Sequence, residues 1–325
     1  MMTLIFHGVR GSHPVADAEM MRYGGNTSCV EIVKTNKQGI KVPVIIDSGS
    51  GIINFGYQLA GLIFGNVYSK TFPLLFTHPH PDHTEGFAFF TPNFLKIVTM
   101  YIMGMKSVKQ HVGRVLKKKM DPSVFPIEYK DLKSKRKHRV LKDSYTFFID
   151  QCGTPVAETE EPLFEIQAMQ SFTPSHPQHG AMYYRITNPD DGSSIACVWD
   201  IESHQGGDVR VINFFQNATV MIHDTQYTAE EYASRSNSVQ GFGHSSYDMA
   251  FENAAGAGAK YLCSFHYNPR HTDTTLDAIA KQYEDQKAGG LTAPEFIMSR
   301  EGLALDIENG VIIKKESNKL RFGKP

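Results

Sequence analysis

The 325-residue chain has little cysteine, a single tryptophan, no long apolar run and no excess of charge of one sign. Cys29, Cys152, Cys197 and Cys263 lie far apart with no Cys-x-x-Cys pair. Three of them sit in apolar, strand-like surroundings and read as buried thiols, which fits a reducing cytoplasm. No stretch approaches the roughly 18–20 apolar residues needed to cross a bilayer as a helix, so no membrane span is expected. The opening "MMTLIFHGVRGS" has a short apolar run cut off by His7 and Arg10, unlike a secretory signal. A net charge of −1 excludes both a globally basic nucleic-acid coat and a disordered acidic chain. Low-complexity linkers and internal repeats are missing too, so residues 1–325 are expected to form one domain.

What the chain does have is histidine, 14 residues of it, and a series of short apolar runs. "CVEIV", "VPVIID", "FPLLFT", "YTFFID" and "LFEIQAM" in the first half are followed by "MYYRI", "SIACVWD", "ATVMIHD", "KYLCSFH" and "GVIIKK". Each is bounded by turn residues, as strands are. Helical patterns fall between them at 52–62, 82–90, 247–257 and 274–286. Strands in both halves with helices between predict an α/β (α+β) fold of two packed sheets covered by helices. Residues 106–142 hold 13 Lys or Arg against three Asp or Glu. The stretch reads either as a solvated helix and loop or as a basic insertion or lid that draws anions toward a nearby site.

Histidine concentrates in "LLFTHPHPDHTEG", residues 74–86. His78 and His80, two apart at a strand end, project to one side and can share a metal ion. The turn into a helix then aims Asp82 and His83 a few ångströms away, and four such side chains make half of a two-metal site. Candidates for the other half also stand at the ends of apolar runs: His176, His179, Asp200, His223, Asp224, His244, His266 and His271.

These motifs in order resemble the metallo-β-lactamase superfamily, in its phosphodiesterase branch related to tRNase Z. "GVRGSHPV…RYGGNTSCVEI" is similar to that branch's "GTRGS…RYGGNTSCVEV". "VIIDSGSGI", "THPHPDH", "HPQHGAMYYRI", "VWDIE", "IHDTQYTAEEY…GFGHSS" and "FHYNP" resemble its later motifs. The resemblance implies an αββα sandwich and two divalent ions, with zinc favoured and manganese or iron open. It assigns His78, His80 and His176 to one ion, Asp82, His83 and His266 to the other, and Asp200 as a bridge. Asp47 would support the ligand histidines from behind, and His223 with Asp224 would form a second supporting pair. The third motif carries a one-residue insertion; His176 is preferred over His179 because Pro177 follows it.

The implied activity is that of a dinuclear metal hydrolase acting on a small anionic phosphodiester such as a cyclic nucleotide. Two cations sharing a hydroxide can clamp a phosphoryl group. Asp82 would orient the attacking oxygen and His244 would protonate the leaving alkoxide. RNA is a less favoured substrate, because no Gly-Pro-rich arm is present and stacking aromatics are scarce in 106–142. A lactonase or thioesterase could use the same ligands. A metal-stabilised binding protein is disfavoured by the spare acid, and di-iron oxygen chemistry by His80, where those relatives carry Glu. A homodimer stays open.

Overall fold

A computed structural model describes residues 1–105, 111–171, 180–288 and 294–317. Among these, the strands form two eight-stranded sheets. The first comprises β1 (Met2–Gly8), β2 (Cys29–Thr35), β3 (Lys41–Ile46), β4 (Thr71–Phe76), β5 (Thr99–Met105) and β6 (Lys135–Leu141), with β15 (Leu303–Glu308) and β16 (Val311–Ser317) beside β1. The second comprises β7 (Tyr145–Ile149), β8 (Pro155–Val156), β9 (Phe164–Gln170), β10 (Met182–Thr187), β11 (Ser194–Val198), β12 (Val220–Asp224), β13 (Tyr261–Phe265) and β14 (Glu295–Met298). The helices are α1 (Gly51–Phe64), α2 (Pro81–Thr84), α3 (Val112–Lys119), α4 (Val209–Phe214), α5 (Ala229–Tyr232), α6 (Tyr247–Gly256) and α7 (Asp273–Ala288).

Apolar side chains divide into three layers. Between the sheets lie Phe6, Leu75, Tyr184, Trp199, Phe265 and their neighbours. On the outer face of the first sheet, Phe55 and Leu59 of α1 and Leu116 of α3 pack on Leu74 and Ile102. On the outer face of the second, Val211 of α4 and Ala250 and Ala254 of α6 pack on Met221 and Leu262. Covered on both faces, the central strands β3, β11 and β12 are almost wholly buried, which is why they read as continuous apolar runs. The layers are helix, sheet, sheet, helix.

Each sheet changes from antiparallel to parallel pairing once in its interior. β3 pairs antiparallel with β2 and parallel with β4; β11 pairs antiparallel with β10 and parallel with β12. Chains leaving the carboxyl ends of parallel strands beside such a reversal diverge and open a crevice, the usual place for a ligand in α/β sheets. Both crevices open on the same rim.

The basic segment holds a helix, α3, with Lys117, Lys118 and Lys119 in its last turn, and ends in a strand that its charge did not suggest. Lys135–Leu141 is a full edge strand, in parallel register with β5 from Thr99↔Lys135 to Met105↔Leu141. Its charge is that of a sheet edge, where exposed Lys135 and Lys137 discourage pairing with another chain. Residues 106–110 lie outside the described residues.

Candidate metal centre

Five strand ends supply the site. β3 ends in Asp47, β4 in Thr77 and His78, β11 in Trp199 and Asp200, β12 in Asp224, and β13 in His266. Asp47, Asp200 and His266 each leave their strand with φ near +60° (60°, 57° and 64°). Asp and His tolerate this left-handed turn better than most side chains. It swings the residue out of the pleat and over the rim. His80 caps α2, Pro81 starts it, and this single turn presents Asp82 and His83 inward.

The structure brings His78, His80, Asp82, His83, Asp200 and His266 together. Nitrogen and oxygen atoms of Asp82, His83, Asp200 and His266 lie within 4.8 Å of one another, as do those of His78, His80 and Asp200. Asp200 belongs to both groups. Its Oδ1 is 3.5 Å from His78 Nε2, and its Oδ2 is 3.1 Å from His83 Nε2 and 3.5 Å from His266 Nε2. Asp82 Oδ2 is 3.3 Å from His83 Nε2 and 3.1 Å from His266 Nε2. His176 and His179 lie outside the described residues.

The proton positions in this cluster point to a cation. His83 Nδ1 is 2.8 Å from Asp47 Oδ2, so the neutral ring carries its hydrogen there. His83 Nε2 is buried and faces Asp200 at 3.1 Å and Asp82 at 3.3 Å; in the neutral ring it would be a lone pair. His266 Nδ1 is 2.8 Å from Gln226 Oε1, and its Nε2 is 3.1 Å from Asp82 Oδ2. Neutral rings in these tautomers would repel the carboxylates, so a proton or a metal ion belongs between them. Burial opposes charge on His83, yet Asp200, Asp82 and Asp47 outweigh it and raise its pKa well above the ordinary imidazole value. Burial likewise pushes the Asp82 carboxyl up, but His83 and His266 prevail and hold it well below the usual carboxylate range. A divalent cation would take over the proton's role. Nitrogen and carboxylate donors in this number suit zinc, manganese or iron.

Behind the cluster, Asp47 is fully buried and accepts from four donors. They are Thr77 N at 2.8 Å, Thr77 Oγ1 at 2.7 Å, His83 Nδ1 at 2.8 Å and Trp199 Nε1 at 2.8 Å. Asp224, also buried, holds His244 Nδ1 at 2.8 Å and accepts the backbone N–H of Asp200 and of Gln226. The His244 ring stacks on His266 with centroids 4.9 Å apart, at the edge of the cluster. His223 does not join Asp224 as a support for the site. Alternation along β12 turns it to the opposite face, where Nδ1 donates to the Asp224 carbonyl and Nε2 accepts from Asn253.

Sequence reasoning missed several positioning groups. Ser12 N donates to Asp82 Oδ2 at 2.8 Å, and Gln226 fixes His266, although both lay inside quoted motifs. Trp199, the sole tryptophan, was visible only as a neighbour of Asp200. Glycine in "GVRGS" has a specific cause: a Cβ on Gly11 would stand 2.4 Å from His266 Nδ1. Arg10 is fully buried and donates to the carbonyls of Gly24, Asn268, His271 and Met20. It ties the N-terminal loops to the segment after His266, and its guanidinium is occupied by the protein itself.

No family model matches the sequence, and no curated protein does. Solved structures do resemble the chain. The metallo-β-lactamase fold protein YhfI from Bacillus subtilis is 16% identical, with a TM-score of 0.61 over 93% of this chain and 98% of its own. A diphosphatase of the PhnP family is 16% identical, with a TM-score of 0.60 over 97% and 100%. The short form of human tRNase Z is 15% identical, with a TM-score of 0.56 over 94% and 99%. These near-complete overlaps, together with the two sheets and their flanking helices, establish the architecture: the chain has the metallo-β-lactamase fold.

Proposed function

We propose that the protein is a dinuclear metal-dependent hydrolase acting on small phosphodiesters. The observation that carries this reading is the convergence of His83 Nε2 and His266 Nε2 on the carboxylates of Asp82 and Asp200, with each ring's Nδ1 engaged from behind. His78 and His80 stand on the far side of Asp200. In this assignment His78 and His80, with His176 from the third motif, would hold one ion. Asp82, His83 and His266 would hold the other, and Asp200 would serve both. Two such cations supply charge neutralisation of a phosphoryl group and an acidified water.

The chain's own residues do the rest. Asp82, fixed by Ser12 N, orients the attacking oxygen. His244 serves as the acid for the departing alkoxide: Asp224 accepts its Nδ1–H, stabilises the protonated ring, and aims the other nitrogen. Thioesters expel thiolates, which leave without such an acid, so the His244–Asp224 pair favours phosphodiesters over thioesters. The solved structures similar to this chain include a diphosphatase and tRNase Z, which accords with phosphoryl chemistry. Among the described residues no helix is long and apolar enough to cross a membrane.

The decisive assay is turnover by zinc- and manganese-loaded protein on bis-p-nitrophenyl phosphate, 3′,5′- and 2′,3′-cyclic nucleotides, pre-tRNA and an acyl lactone. Cyclic nucleotide hydrolysis is the expected result. Activity on the lactone alone would overturn the reading, and activity on pre-tRNA alone would move it to RNA processing.

A further inference from the structure

A cleft of about 600 Å³ opens beside the metal cluster and is used by nothing described so far. Its size lies within the ~300–1,000 Å³ typical of small-molecule sites. Three of its lining residues touch the site directly. Ser12 donates its N–H to Asp82, Gln226 fixes His266, and the Tyr227 ring lies edge-on to His244 with centroids 6.2 Å apart. The cleft therefore begins on the side where His244 meets a departing group.

Its lining mixes two chemistries. It includes Phe242, 59% exposed and two residues from His244, and Val239. An aromatic ring so exposed on a loop costs solvation and gains nothing from the core. The lining also offers amides and charges: Asn237, Asn268, Glu230 and Arg270. Glu231 is taken up by His271, at 3.0 and 3.1 Å, and by the cap of α5. With Glu230 set against Arg270, the cleft has no surplus positive charge to hold a second phosphate. An exposed aromatic face in one cleft with hydrogen-bonding groups of both kinds suits an uncharged heterocycle better than a polyanion.

We infer that this cleft is the leaving-group subsite and that it takes a nucleoside, its base stacked on Phe242 and its edge read by the lining amides. The inference rests on the phosphodiesterase reading, because that chemistry places an alcohol at His244. Stacking a base on one aromatic side chain is worth roughly 5–150-fold in affinity.

Calorimetry on zinc-supplemented protein tests it, comparing a nucleoside 5′-monophosphate with ribose 5-phosphate. The mononucleotide should bind at least about fivefold more tightly. Phe242→Ala should abolish that preference and leave ribose phosphate affinity unchanged, and Phe242→Trp should restore it. Equal binding of the two ligands, or a full preference surviving in Phe242→Ala, would overturn the subsite. Turnover of bis-p-nitrophenyl phosphate is measured in parallel. Turnover without base preference refutes the subsite alone. Base preference without turnover of any phosphodiester refutes the hydrolase reading and with it the leaving-group assignment, leaving a nucleotide-binding cleft.

Discussion

Asp47→Asn isolates the support beneath the cluster, because asparagine keeps the shape of the side chain and accepts the residue's positive φ of 60°. The carboxylate serves one donor on Oδ1, Thr77 N, and three on Oδ2: Thr77 Oγ1, His83 Nδ1 and Trp199 Nε1. An amide has one oxygen, and two placements compete. With its NH₂ toward the three donors, at least His83 and Trp199 lose their acceptor. With its NH₂ toward Thr77 N, a single backbone donor is orphaned, so this placement should win. The orphan costs about 1–3 kcal/mol, and three bonds that lose their charged acceptor forfeit about 1 kcal/mol each, about 4–6 kcal/mol together. That is a large share of an ordinary domain's 5–15 kcal/mol. His83 keeps its Nδ1–H acceptor in this placement, so its lone pair still faces the metal position. Zinc affinity should then fall near the lower end of the roughly 10–100-fold range for such supports. Urea unfolding of metal-free protein measures the first quantity and chelator competition the second. A variant within about 0.5 kcal/mol of wild type, with zinc affinity unchanged, would refute the claim that all four donors depend on the Asp47 side chain.

The remaining expectations are briefer. Gly11→Ala should displace His266 and lower zinc content below two ions per chain in purified, supplemented protein; full occupancy would show that the loop yields. His244→Ala should keep its metals and lose roughly 10²–10⁴-fold in rate on a ribose alkoxide leaving group, and much less on p-nitrophenolate; equal losses would make it a positioning residue. Replacing Lys117, Lys118 and Lys119 with Gln should flatten the fall of kcat/KM with salt, since screening acts over about 10 Å at 0.1 M; an unchanged salt slope would leave the segment without a steering role. At His138, burial, then Lys117, His111 and Arg136, hold the pKa down to about 4. The unfolded chain binds that proton near pH 6.5 and the folded chain only near 4, so the contribution to stability is complete above about pH 6.5 and lost as pH falls toward 4. The ring is partly exposed, so the slope should stay well under the ~1.4 kcal/mol per pH unit of a full proton; His138→Gln should remove it, and a slope that persists would assign the acid sensitivity elsewhere.

The layers of this fold were readable because central strands buried on both faces must be apolar along their whole length. All ten quoted runs coincide with strands, although "GVIIKK" is β16, an exposed sheet edge. Two of the unread strands obey other rules: β6, "KRKHRVL", is a charged sheet edge, and β1 begins the chain with alternating burial. β5, "TMYIMGM", is an apolar, buried interior strand that was passed over. Helix α2 was foreseen as a helix over 82–90, but only Pro81–Thr84 is α-helical and Glu85–Phe89 continues as 3₁₀. Local spacing carried the cluster at 78–83, since those residues are neighbours in sequence as well as in space. It could not show which nitrogen of each imidazole faces the cluster. That depends on Asp47 and Gln226, which lie 36 and 40 positions from the rings they fix.

The same limit explains why His223 misleads. Next to an aspartate at a strand end it has the composition of a supporting pair, yet a strand sends adjacent side chains to opposite faces. Asp224 reaches the rim and His223 reaches α6. Asp47, Asp200 and His266 escape this alternation because each sits one or two residues past its strand, where the left-handed turn resets the direction of the side chain. The residues that make the centre are thus those at which the pleat has ended. A motif ending in a bare "HD" cannot say on which side of that boundary its histidine falls. The hydrogen bonds of its neighbours decide it, and for His223 they decide against the metal.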